Sequence, residues 1–210
     1  MRKLRLRFSI FSFIFLLFFS CKSFKLQDVK SSNSDKSVFE NLYFTSNEDY
    51  IYKCGIDIYT HHLSGILIIK KTAKNTHRIV MTTDFSNKLI DFEITDNQFK
   101  INYIVPDMDK KIVKNFLKKD FSILMKKDFP VSETFTNENQ QIYLSRQGKQ
   151  SFYCFVNNKN LLLEKMIFTE NDYQKINFIY QTKTPIFADE IIIKHVDYKI
   201  NITLQKLENN

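Results

Sequence analysis

From about Tyr50 the chain alternates apolar and polar residues with a period of two. Tyr52, Cys54, Ile56 and Ile58 share one face against Lys53, Gly55, Asp57 and Tyr59, and Phe99, Ile101, Tyr103 and Val105 repeat the pattern against Lys100, Asn102 and Ile104. Successive side chains on a strand point to opposite faces, so this spacing predicts half-buried strands. Between them, Ile66 to Ile69 is a continuous apolar run, Arg78 to Thr83 is rich in β-branched residues, and Ile90, Phe92 and Ile94 share a face. Short polar breaks at Lys74 to Thr76, Ser86 to Lys88 and Asp96 to Gln98 predict tight antiparallel connections, hence a five-strand meander.

The period then lengthens to about 3.6. Pro106 stops the strand, Asp107 can cap, and Met108, Ile112, Val113, Phe116, Leu117, Phe121 and Leu124 form one helical stripe, predicting a helix over about 108–126. Its other face carries Lys110, Lys111, Lys114, Lys118 and Lys119. Such a face is usually simply solvated, although anionic headgroups would also be attracted to it. Strand patterns resume after Pro130: Gln141 to Ser145, Ser151 to Val156, Leu161 to Phe168, Tyr173 to Gln181, Glu190 to Val196 and Tyr198 to Lys206. The chain is therefore mainly β, with about eleven antiparallel strands and one long helix. A sheet that large tends to curl, and a helix in mid-sequence can pack on its concave side.

The first 21 residues follow another rule. Arg2, Lys3, Arg5 and Arg7 precede an apolar run, Phe8 to Phe19, broken only by Ser9 and Ser12. A spanning helix needs about 20 apolar residues, so this shorter run predicts a signal peptide over residues 1–20. Its Leu17-Phe18-Phe19-Ser20-Cys21 ending resembles the lipobox of bacterial lipoproteins, although Phe18 stands where that pattern usually has Leu. The resemblance implies that Cys21 is lipidated and becomes the first mature residue; the alternative is an ordinary secretory signal with an incidental cysteine. Lys22 to Ser37 contains five serines and few large apolar residues, predicting a flexible tether over 21–40 that could hold the 41–207 domain up to roughly 50 Å from the anchor. Lys22 rather than an aspartate stands beside Cys21 and no acidic cluster directly follows, which by resemblance favours the periplasmic face of the outer membrane.

Charge and chemistry narrow the function. The formal charge of +8 falls to +4 once the four signal residues are set aside, which removes most of the case for nucleic acid as a partner. Cys54 and Cys154 lie in strand-like segments and are either a candidate disulfide pair of an oxidising compartment or two small buried hydrophobes. His61 and His62 are adjacent and would point to opposite faces, a poor metal site. His77 and His195 sit beside basic residues, Arg78 and Lys194, with no sequence-local carboxylate partner assigned to either, and three glycines allow neither a phosphate loop nor a G-x-S-x-G elbow. Asp91 and Glu93 flank Phe92 and read as solubilising residues on a wet face. Neither catalysis, a cofactor nor a metal is expected.

The anchor, meander, mid-chain helix and second strand set together resemble the LolA/LolB family of lipoprotein-localisation carriers and receptors. HLSGILIIKK (His62 to Lys71), HRIVMTTDF (His77 to Phe85), LIDFEI (Leu89 to Ile94) and FLKKDFSILM (Phe116 to Met125) are similar to uncharacterised Gram-negative lipoproteins associated with that fold. The resemblance implies a curved half-barrel closed by a helix over an apolar cavity that takes acyl chains, with Ile66, Ile68, Phe92, Phe99, Phe116 and Phe121 as candidate ligand contacts. Any packed core needs the same residues. A lipid-handling lipoprotein is thus the first expectation, with a lipid or lipoprotein acyl chain as partner. A non-catalytic interaction lipoprotein with a filled core, meeting another envelope protein, is the second.

Overall fold

The computed structural model describes residues 23–207 except Asn97; the signal peptide and Cys21 lie outside the described residues. The predicted meander is present as β3 (Tyr50–Ile58), β4 (His61–Ala73), β5 (Thr76–Thr82), β6 (Lys88–Thr95) and β7 (Phe99–Ile104). A 3-10 turn (Pro106–Met108) leads into the helix α1 (Lys111–Leu124). The second set is β10 (Gln140–Gln147), β11 (Gln150–Asn157), β12 (Leu163–Glu170), β13 (Tyr173–Thr182), β14 (Ala188–His195) and β15 (Ile200–Lys206). Four short strands raise the count among the described residues to fifteen: β1 (Lys30–Ser31), β2 (Val38–Glu40), β8 (Asp128–Pro130) and β9 (Glu133–Thr136).

All pairings are antiparallel, and thirteen strands form one open sheet in the order β1-β9-β10-β11-β12-β13-β14-β15-β3-β4-β5-β6-β7. The seam is β15 against β3, where Ile202 faces Ile56 and Leu204 faces Cys54. It joins the end of the chain to the start of the meander. Register then aligns one inner row across seven strands: Tyr143, Cys154, Met166, Phe178, Ile193, Ile202 and Ile56. Because side chains alternate, one such row commits each strand to an inner and an outer face.

The helix lies over the inner face, burying Val113, Leu117, Phe121, Ile123 and Leu124. Spacing of three and four residues places them on one side, and each fully buried large apolar side chain contributes about 1.5–3 kcal/mol. The ribbon β2–β8 covers the neighbouring part, with Phe39 stacked on Tyr143 at 5.3 Å and Phe129 edge-on to Phe152 at 5.3 Å.

The segment expected to be a flexible tether is instead a strap along the outer face of β10–β12. Phe24, Leu26 and Val29 pack on Ile142, Leu144, Tyr153, Phe155 and Ile167. The Phe24 N–H donates to the Asp172 carbonyl at 2.7 Å, its ring meets Tyr153 at 4.8 Å, and β1 pairs with β9. Three apolar side chains suffice because the sheet beneath is apolar on this side too. Unbroken runs such as Phe152 to Val156 mark strands covered on both faces.

Cys54 and Cys154 are buried free thiols, not a disulfide. They share the inner face but sit on β3 and β11, with β12, β13, β14 and β15 between them. Burial pushes the Cys54 thiol up to about 12 and the Cys154 thiol up as well, so both behave as inert hydrophobes.

Candidate ligand-binding site

The candidate ligand contacts read from the sequence fall on or around the inner face and the helix that covers it. Phe92 on β6 and Phe121 on α1 are both fully buried and meet edge-to-face at 5.3 Å, and Phe99 on β7 lies 5.1 Å from Phe92. The structure therefore brings three of the six candidate contacts together. Phe116 sits at the margin of the lid, edge-on to His195 at 5.0 Å and Tyr198 at 5.3 Å. Ile66 and Ile68 are misplaced by the sequence reading: they face outward, while Leu67 and Ile69, opposite Tyr52 and Tyr50, face in. In a run of four apolar residues the two faces look alike, and only the register decides between them.

The lid is tied down by charge as well as packing. Asp120 on α1 and His195 at the end of β14 are buried, their side chains 0% and 4% exposed, and His195 Nε2 lies 3.0 and 2.9 Å from the two Asp120 carboxylate oxygens. Burial pushes the Asp120 carboxyl above its ordinary range, with His195 pulling the other way. Lys119 reaches Glu170 at 3.4 Å and lies over the Phe168 ring at 4.7 Å. Sequence reasoning found no partner for His195 because Asp120 is 75 residues away. One signal was available: Asp120 falls seven residues after Val113 and three after Leu117, on the apolar stripe itself.

Asn41–Thr45 closes the rest of the inner face. The Tyr43 hydroxyl donates to the Leu163 carbonyl at 2.7 Å, Phe44 packs on Tyr50, and His77 Nε2 lies 2.9 Å from the Phe44 carbonyl. Burial raises the Tyr43 hydroxyl to about 12 and lowers His77. Large side chains crowd the space under these covers, among them Tyr50, Tyr52, Phe92 and Phe121, all buried. A cavity of about 1100 Å³ lies instead on the outer side, between the strap and the sheet, lined by Phe24, Leu26, Ile142, Phe155 and Ile167 with Lys25, Lys165 and Lys175. Among the described residues no cluster of His, Cys, Asp and Glu could hold a metal, and no helix is long and apolar enough to cross a membrane.

Asp91 is not the solvated acid its pattern suggested. Its side chain is 2% exposed, covered by Arg78, whose Nε and Nη2 reach its two oxygens at 3.0 and 2.7 Å, by Lys88 at 3.2 Å and by Asn102 at 3.2 Å. The Arg78 guanidinium, aided by Asn102 and Lys88 against the opposing effect of burial, holds the carboxyl down at about 2. Since the folded value is depressed, this stabilisation is present above pH ~4 and disappears as pH falls towards about 2; Arg78 is half exposed, so solvent screening limits it to about 1–2 kcal/mol. Asp91→Asn is expected to remove that increment at pH 7 and to narrow its stability difference from the parent at pH 2, as measured by urea unfolding at the two pH values.

No protein-family model and no curated protein matches the sequence. Solved structures do match. A LolA superfamily protein from Nitrosomonas europaea superposes with a TM-score of 0.52 at 10% identity, covering 80% of this chain and 87% of that one. The chain has a LolA-like fold. A second match, at a TM-score of 0.45 and 7% identity, is a putative outer membrane lipoprotein-sorting protein domain from Vibrio parahaemolyticus, covering 78% of this chain and 85% of that chain. The open antiparallel sheet with a helix across its inner face is the architecture expected from the sequence, with thirteen strands in the sheet and fifteen in all among the described residues rather than about eleven.

Proposed function

We propose that this protein is a lipoprotein of the outer membrane, facing the periplasm and anchored through acylated Cys21, which binds a lipid or lipoprotein acyl chain on the inner face of its LolA-like sheet. The observation that carries the reading is the construction of the lid: α1 presents an apolar stripe to an apolar sheet, with Asp120–His195 as the buried polar tie. An acyl chain offers the sheet the same kind of surface that Phe121 and Leu117 now supply, so displacing α1 exchanges one apolar contact for another. The Tyr180 hydroxyl, buried on the same face beside Tyr43, has no hydrogen-bond partner among the described residues and would donate to a ligand ester or carboxyl oxygen. The proposed role is transfer or holding of lipid, with the Asp120–His195 pair as the structural tie between α1 and the end of β14 that parts when α1 is displaced.

The second reading is a non-catalytic interaction lipoprotein whose lid never opens. The burial of large apolar side chains across the inner face favours it. Native mass spectrometry with lipid extraction on residues 22–210 separates the two: co-purifying lipid or a stoichiometric fatty-acid adduct is the expected result, and a clean apo mass throughout would favour the closed module.

A further inference from the structure

Three strap side chains do not cover the whole apolar strip they lie on. Phe24, Leu26 and Val29 rest on the outer face of β10–β12, yet a cavity of about 1100 Å³ remains between strap and sheet. Close-packed interiors hold few voids larger than a water molecule, and this one matches the sites that take drug-sized ligands. Its floor is Ile142, Phe155 and Ile167, and it is also lined by Tyr173 and Val196, both exposed. Because the strap roofs it, the space admits a small molecule rather than a protein surface.

The charges along this cavity are unequal. Lys25, Lys165 and Lys175 line it against a single acid, Asp197. Lys175 is already matched, its ammonium 2.6 Å from the Asp197 carboxylate. Lys165 stands over the Phe155 ring at 5.3 Å, and neither it nor the exposed Lys25 has an acidic partner among the described residues. Two ammonium groups therefore stand beside an apolar floor with no counter-charge. An uncharged chain would suit the floor and leave both unanswered. An apolar body that carries a carboxylate or phosphate answers floor and lysines together, since charge-assisted hydrogen bonds are about twice as strong as neutral ones.

We infer that the space beneath the strap is a second binding site, for a small amphipathic anion whose apolar body lies on Ile142, Phe155 and Ile167 and whose carboxylate or phosphate meets Lys25 and Lys165. The site is on the opposite face of the sheet from the lid, and it rests neither on Cys21 nor on movement of α1. Its walls come from strap and sheet together, so a bound anion stabilises the docked strap and is released when the strap leaves the sheet.

Residues 22–210 hold the whole described fold, and the chain contains no tryptophan, so Tyr173→Trp places a single reporter at the cavity. Calorimetric titration below micelle-forming concentrations compares laurate and dodecyl phosphate with dodecyl maltoside and dodecyltrimethylammonium, which share the chain and differ in the charge of the head. The expected result is an anion that binds about tenfold tighter, or more, than the neutral and cationic heads, with a change in Tyr173→Trp fluorescence. Whichever of the two anions binds the tighter identifies the head as carboxylate or phosphate. Lys25→Gln combined with Lys165→Met is expected to weaken anion binding by about tenfold and to leave dodecyl maltoside as it was. Lys25→Gln alone, at an exposed strap position that the sheet does not depend on, is expected to lose part of that affinity. No anion binding, equal affinity for all four heads, or anion binding that the lysine substitutions leave intact overturns the site. An anion that loosens α1 while the Tyr173→Trp fluorescence stays unchanged overturns it as well, and supports the inner-face reading instead.

Discussion

Phe121→Ala is expected to destabilise the protein by about 3–5 kcal/mol, the cost of removing a fully buried aromatic side chain from a site that cannot collapse around the loss. Phe121 is the point where the lid meets the meander half of the sheet, through its edge-to-face contact with Phe92. Truncation removes that contact and leaves a void floored by β-sheet residues that are fixed in register and cannot close it. A urea titration reads the effect as a lower midpoint with little change in slope. The same void is space for an acyl chain, so the variant is expected to bind fatty acid more tightly than the parent even as its stability falls. A loss below about 1 kcal/mol would mean that α1 does not pack on the sheet as described.

The second large effect is expected at the buried pair. Asp120→Ala leaves His195 without its acceptor in a site with no water access, and breaking a buried pair in this way costs about 3–5 kcal/mol. Asp120→Asn keeps an oxygen at hydrogen-bond distance and is expected to lose clearly less. Replacing both members, Asp120→Leu with His195→Leu, restores much of the stability, because two apolar groups need no partners. Thermal unfolding of the three variants tests the sequence of effects; equal losses in all of them would show that the site contributes only volume.

Much of this fold was legible in the chain because its two periodicities are clean. The meander β3–β7, the six strands β10–β15 and α1 all follow from alternation or a 3.6-residue stripe. The short strands β1, β2, β8 and β9 were not legible, since two to four residues carry no period and they exist only because longer strands or each other offer a partner. The strap was misread for a related reason. Its composition is that of a disordered segment, and what orders it is the apolar outer face of β10–β12, more than a hundred residues away. In the candidate site, Phe92, Phe99 and Phe121 were recoverable because each sits at an unambiguous inward position. Ile66 and Ile68 were not, because the run Ile66 to Ile69 has no polar residue to mark its outer side. The Asp120–His195 tie escaped because a histidine at a strand end and an acid on a helix show no relation until the helix is laid across the sheet.

In the proposed lid mechanism acyl binding on the inner face displaces α1, and amide hydrogen exchange on residues 22–210, with and without a saturating fatty acid, reads that movement residue by residue. Bound fatty acid is expected to increase exchange across Lys111–Leu124 while the amides of β3, β14 and β15 stay protected. Fatty acid that binds with α1 still protected, or no binding at all, would rule the lid mechanism out.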